Sequence, residues 1–173
     1  MKKLIIVSTL CLTSLITLPA LAAHKNLNLA DLKSATYKLP LFADAPADVY
    51  HLGRQNGHSM PPEELTLHEY AFGDLNGDGL GDAITLLGYT SGGSGNDMSL
   101  VVLINNHGKA KSVDWITLQD RTGCESLKII NQKIIYDALV HKPHGACWGE
   151  LPKKFVYRLV NNKLIGPRNV AQF

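Results

Sequence analysis

The stretch Asp74-Leu75-Asn76-Gly77-Asp78-Gly79-Leu80-Gly81-Asp82 constrains this chain more than any other. Oxygen-bearing side chains stand at its first, third, fifth and ninth positions, with glycines between them. Gly77 and Gly79 permit the positive φ angles that a tight loop needs. Leu65 to Phe72 reads as a strand entering the loop, and Asp82 to Tyr89 as a strand leaving it. The pair predicts a hairpin-like unit pinned at the loop. The spacing predicts calcium ligands: the side chains of Asp74, Asn76, Asp78 and Asp82, and the backbone carbonyl of Leu80. Three carboxylates give such a site a charge that a divalent cation offsets. An Asp/Asn/Gly turn without an ion is the competing reading, since these residues favour turns in any case.

An EF-hand shares the first part of this pattern but needs glutamate at position twelve, where this chain has Thr85. It also needs a helix on each side, and Ile84 to Tyr89 reads as strand. The run Phe72-Gly73-Asp74-Leu75-Asn76-Gly77-Asp78-Gly79, with Asp82, resembles instead the calcium loop of the FG-GAP and VCBS type. That resemblance implies a calcium loop between strands. It does not bring a propeller with it, because no second copy recurs at a period of tens of residues. From about Tyr37 to Leu164 the chain also resembles small exported proteins of Gram-negative bacteria. These share the loop, a strand, a Gly-Gly-Ser-Gly loop, another strand and a late cysteine. The likeness bears on fold and export, not on a reaction.

The N-terminus predicts export. Lys2 and Lys3 precede an apolar run from Leu4 to Leu18, and Ala20-Leu21-Ala22 supplies the small-residue cleavage site. Residues 1–22 are therefore expected to be a signal peptide and residues 23–173 one β-rich domain. The apolar run is shorter than the roughly twenty residues that span a bilayer, so no membrane span is expected after cleavage. Lys2 and Lys3 account for the whole excess of 17 basic over 15 acidic residues. Near-zero charge in the remainder gives no electrostatic case for nucleic acid. Export makes a disulfide between Cys124 and Cys147 the simplest use of the two remaining cysteines.

Elsewhere the pattern predicts a mainly β chain. A short helix is expected over 28–37 with Asn28 as N-cap, then about eight short strands. Asn131-Gln132 and Asn161-Asn162 read as tight hairpin turns. The expected architecture is an antiparallel meander, a sandwich or a partly open barrel. Val113, Trp115 and Thr117 are expected on one side of their strand.

Other candidate sites are weaker. Gly92, Gly93, Ser94 and Gly95 form a loop that could cradle an anion through backbone amides, or serve only as a hairpin connection. His141, His144 and Cys147 have a spacing open to a transition metal, but lack an obvious fourth ligand. Trp148 beside them suits a partner surface or a cover for a disulfide. Ser91, Ser94 and Ser99 lack a nucleophile-elbow context. Trp115, Asp120 and Arg121 suit ligand binding or plain packing. The resulting expectation is a periplasmic or secreted, calcium-binding, non-enzymatic interaction module with an envelope protein or glycan as partner. An inhibitor or immunity-type partner of an envelope enzyme, and an envelope hydrolase with a site assembled from distant loops, are the alternatives.

Overall fold

Alternating apolar residues build eleven strands and one short helix among the described residues, seen here in a computed structural model. The structure describes residues 25–40, 47–54, 64–90, 97–118, 122–140 and 151–167. The expected signal peptide, the 92–95 loop, the His141–Trp148 segment, Asp120 and Arg121 lie outside them.

Helix α1 (Leu29–Lys33) opens on a capping box: the Asn28 side chain accepts from Ala30 N and Asp31 N, and the Asp31 side chain accepts from Asn28 N. The helix is shorter than the sequence predicts. Ser34 ends it by turning its hydroxyl back to Ala30 O at 3.0 Å, and the chain then extends into β1.

Strands β1 (Tyr37–Leu39) and β2 (Asp48–Tyr50) form a small hairpin. A five-stranded antiparallel meander follows, in spatial order β3 (Gly53–Arg54), β4 (Glu64–Gly73), β5 (Asp82–Thr90), β6 (Asp97–Asn106) and β7 (Lys109–Thr117). A four-stranded meander completes the chain: β8 (Gly123–Ile130), β9 (Lys133–Val140), β10 (Leu151–Val160) and β11 (Lys163–Ile165). The expected meander is thus present, as a sandwich rather than a closed barrel. Seven of these strands have eight to ten residues, and the other four, β1, β2, β3 and β11, are two- and three-residue pieces.

The five-stranded sheet is covered on both faces. Ile84, Leu86, Leu100, Val102 and Ile116 meet Ile134, Tyr136, Phe155, Tyr157 and Leu164 of the other sheet. Ala83, Leu87, Val101 and Leu103 meet Leu32, Tyr37 and Leu39 on the opposite side. This is why β5 reads as an almost unbroken apolar run, as strands buried on two faces do. Bulges interrupt the register of β4, β8 and the β6–β7 pair. The last of these breaks the expected alternation: Val113 packs into the inter-sheet core and Trp115 onto the other face of the sheet.

The sheet margins meet differently on the two sides. At one margin Asp114 of β7, 5 % exposed, accepts from Leu164 N at 2.7 Å and Lys163 Nζ at 3.1 Å on β11. At the other, β4 lies against β8, and Gly73 packs under Ile129. A Cβ on residue 73 would stand 2.6 Å from Ile129 Cγ2, closer than real contacts come. Gly73→Ala is therefore expected to destabilise the fold by about 1–3 kcal/mol through overpacking. Ile129→Ala in the same chain should add less than it does alone, which a urea double-mutant cycle reads directly. Simple additivity would show that this contact does not limit the margin.

Candidate metal loop and its cleft

The loop between β4 and β5 holds itself in shape. Asp74 Oδ1 accepts from Gly77 N at 2.6 Å and its Oδ2 from Gly79 N at 3.1 Å. Asn76 Oδ1 accepts from Asp78 N, and Asp78 Oδ1 from Leu80 N. These are Asx turns in succession, the local geometry that short polar side chains favour. Gly77 and Gly79 adopt φ of 83° and 81°, as the sequence requires.

Asp82 plays a different part. It is fully buried at the head of β5. Its Oδ2 accepts from Leu75 N at 2.9 Å and its Oδ1 from Asn105 N at 2.8 Å. One carboxylate therefore ties the loop entrance to β6. Asn105, also buried, continues the network: its Nδ2 donates to Lys25 O and Gly81 O, and its Oδ1 accepts from Gly108 N. Asn26 Oδ1 accepts from Gly81 N at 2.7 Å. The segment before α1 is thus stitched to the loop.

Burial raises the Asp82 carboxyl above its ordinary value, the amides of Asn105 and Leu75 pull it back, and the charges of Asp78 and Asp74 push it up again. Among the described residues none of the three carboxylates has a cationic partner, and no three His, Cys, Asp or Glu side chains converge as a metal shell. The donor set is all oxygen and suits a hard cation. In this structure its oxygens are turned largely to the loop's own amides, and Asn76 Nδ2 donates to Asp78 Oδ2 at 2.8 Å.

A cleft of about 270 Å³ adjoins the loop. Asp78 and Leu80 form one wall, with Asn106, His107 and Lys111 of the β6–β7 hairpin and Asn162 of the β10–β11 turn around it. Positive φ at His107, Asn131, Gln132, Asn161 and Asn162 places three two-residue turns at the loop's end of the sandwich. Gln132 sits over Gly77: a Cβ there would meet Gln132 Nε2 at 3.2 Å. Asn26, Asn105, Gln132 and Asn162 lie far from the loop in sequence, so no local pattern marks them.

Comparisons with family models, with curated proteins and with solved structures find no match.

The remaining candidates separate from this site. Among the described residues Cys124 carries a free thiol packed against the inter-sheet core; Cys147, its expected disulfide partner, lies outside them. Burial, then Glu69, Asp137 and Glu125, push that thiol up to about 11, which makes it a poor nucleophile at neutral pH. Ser99 is buried in β6, and Trp115 is a packing residue. β5 runs away from the loop, so Thr90, where the 91–96 segment begins, stands at the opposite end of the sheet.

In chelator, a ¹³C-carboxyl NMR titration of Asp82 is expected to give a midpoint above the ordinary 3.8. The sign follows from linkage: the folded state holds this proton more tightly than the unfolded state, so Asp82's contribution to stability falls as pH rises through that window. A midpoint at or below 3.8 would mean that the amide hydrogen bonds outweigh burial.

Proposed function

We propose that the protein is an exported, non-enzymatic interaction module whose 74–82 loop takes a calcium ion. The observation that carries this reading is the spacing of oxygen-bearing side chains at 74, 76, 78 and 82 on a loop turned by Gly77 and Gly79 at positive φ. None of the three carboxylates is in an ion pair among the described residues. The side chains of Asp74, Asn76, Asp78 and Asp82, with the carbonyl of Leu80, would hold the ion. The ion supplies positive charge where the chain concentrates negative charge, and so fixes the loop between β4 and β5.

The cleft gives a partner a place to bind. Polar Asp78, Asn106, His107, Lys111 and Asn162 line it together with apolar Ile104 and Val113. A mixture of a few polar groups with apolar side chains is the ordinary make-up of a recognition site. An envelope protein segment or a glycan suits such a lining. The export pattern at residues 1–22 supports a periplasmic or secreted setting for this recognition.

Millimolar calcium is expected to stabilise the fold by on the order of 1–2 kcal/mol, seen as a rise of a few degrees in melting temperature. Asp78→Ala should remove that rise, because it takes a ligand from the loop while leaving Asp82 and its two amides in place. Identical melts in calcium and in chelator would show that the Asx turns alone hold the loop.

A further inference from the structure

The outer face of the four-stranded sheet does not have the composition of a solvated sheet face. The alternation that sends Ile134, Tyr136, Phe155 and Tyr157 into the core sends a second set outward. One row across the sheet reads Ile130, Lys133, Arg158, Ile165; the row beside it reads Lys128, Ile135, Val156. Ile130 is 48 % exposed, Val156 42 %, Val160 50 % and Ile165 56 %. Antiparallel sheets usually turn polar residues to water, so this set of exposed β-branched side chains is out of place.

The charges on the face are also unbalanced. Lys133 and Arg158 are directly opposite each other across β9 and β10, a like-charge pair that weakens a sheet. Among the described residues, Lys128, Lys133 and Arg158 have no acidic partner in an ion pair. The acids beside these rows are Asp137, already occupied by Ser126 at 2.8 Å and Lys154 at 3.6 Å, and Glu125, exposed at the bulge of β8 and lining one shallow pocket with Asp137 and Lys154. Residues two apart on a strand stand roughly 7 Å apart. That is within the Debye length of about 8 Å at physiological salt, so the cations act as one field.

From this we infer that the outer face of β8–β11 docks on the surface of an anionic phospholipid bilayer. A second copy of the chain does not suit it face to face, since the cations would repel. An acidic protein suits it less well. Protein interfaces place apolar side chains at the centre and charges at the rim, with lysine depleted. Here Lys133 and Arg158 are central, and Ile130 and Ile165 flank them. Interleaved cations and short apolar tips match a headgroup layer, where phosphates take the cations and the boundary below them takes the apolar atoms. The face lies on the opposite sheet from the 74–82 loop and does not depend on the loop's ion.

The test is co-sedimentation of the exported protein with vesicles of phosphatidylglycerol mixed into phosphatidylcholine, against phosphatidylcholine alone. Binding is expected to the anionic vesicles only, in calcium and in chelator alike, and to weaken as salt rises. Lys133→Ser with Arg158→Ser is expected to lower affinity about 25-fold, from the contribution of each cation near such a surface. The swap Lys133→Arg with Arg158→Lys should keep it. Any uncleaved leader is shared by wild type and variants, so the difference between them reports the face. Equal binding to both vesicle types, unchanged binding by the serine variant, loss of binding in chelator, or retention by an acidic polypeptide without vesicle binding would each overturn the inference.

Discussion

One buried carboxylate organises the loop end of the sandwich. Asp82 has both oxygens on backbone amides, one from the loop entrance and one from β6. A group with only acceptor atoms is needed, because both neighbours are donors. An amide side chain would turn a donor to one of them, and an alanine would leave two buried N–H groups unpaired, each a penalty of about 1–3 kcal/mol. The carboxylate is kept at the expense of its own solvation, as its raised affinity for a proton shows. Asn105 extends the arrangement, since its side chain ties Lys25, Gly81 and Gly108 to the same point. The loop, the entry segment and the β6–β7 hairpin thus share one polar core between them.

Away from that point the sandwich is held by apolar packing with two dissimilar margins. Asp114 spans from β7 to β11 with a charged side chain that is almost wholly buried but fully engaged. Gly73 and Ile129 close the other side by proximity, which only a residue without Cβ allows. A clip at one edge and a close approach at the other fix how the two sheets lie together. That relation brings Gln132 over Gly77 and Asn162 to the cleft. The lining of the candidate site therefore depends on sheet packing as much as on the loop.

Local features were legible in the chain and long-range ones were not. Gly77 and Gly79 announce positive φ, Asn161-Asn162 announces a tight turn, and Asn28 announces a helix start; each is a property of two to four adjacent residues. Alternation gave the meander because its strands are consecutive in sequence and adjacent in space. Bulges were invisible, so the side of the sheet taken by Val113 was not. The partners of Asp82 could not be read either: Asn105 lies 23 residues away and is an ordinary turn residue by type. The loop's spacing speaks of a cation, whereas the hydrogen bonds speak of Asx turns. Both use the same lone pairs, so the charge on the cluster matters more than its hydrogen bonds in deciding between them.

The direction of the strands then separates the loop from other parts of the chain. β5 carries the chain from the loop to Thr90 over nine residues, roughly 30 Å at the rise of an antiparallel strand. Thr90 therefore stands too far from Asp78 to share a small ligand with it. The cationic rows on β8–β11 face away from the five-stranded sheet altogether, because their neighbours in sequence fill the core between the sheets. Acidic groups concentrate at the loop and unpaired basic groups on that outer face, although the chain as a whole is close to neutral. A net charge near zero thus hides two opposed fields, one at the loop end of the sandwich and one on its outer sheet, which is why the two proposals, a hard cation at the first and an anionic surface at the second, are independent of each other.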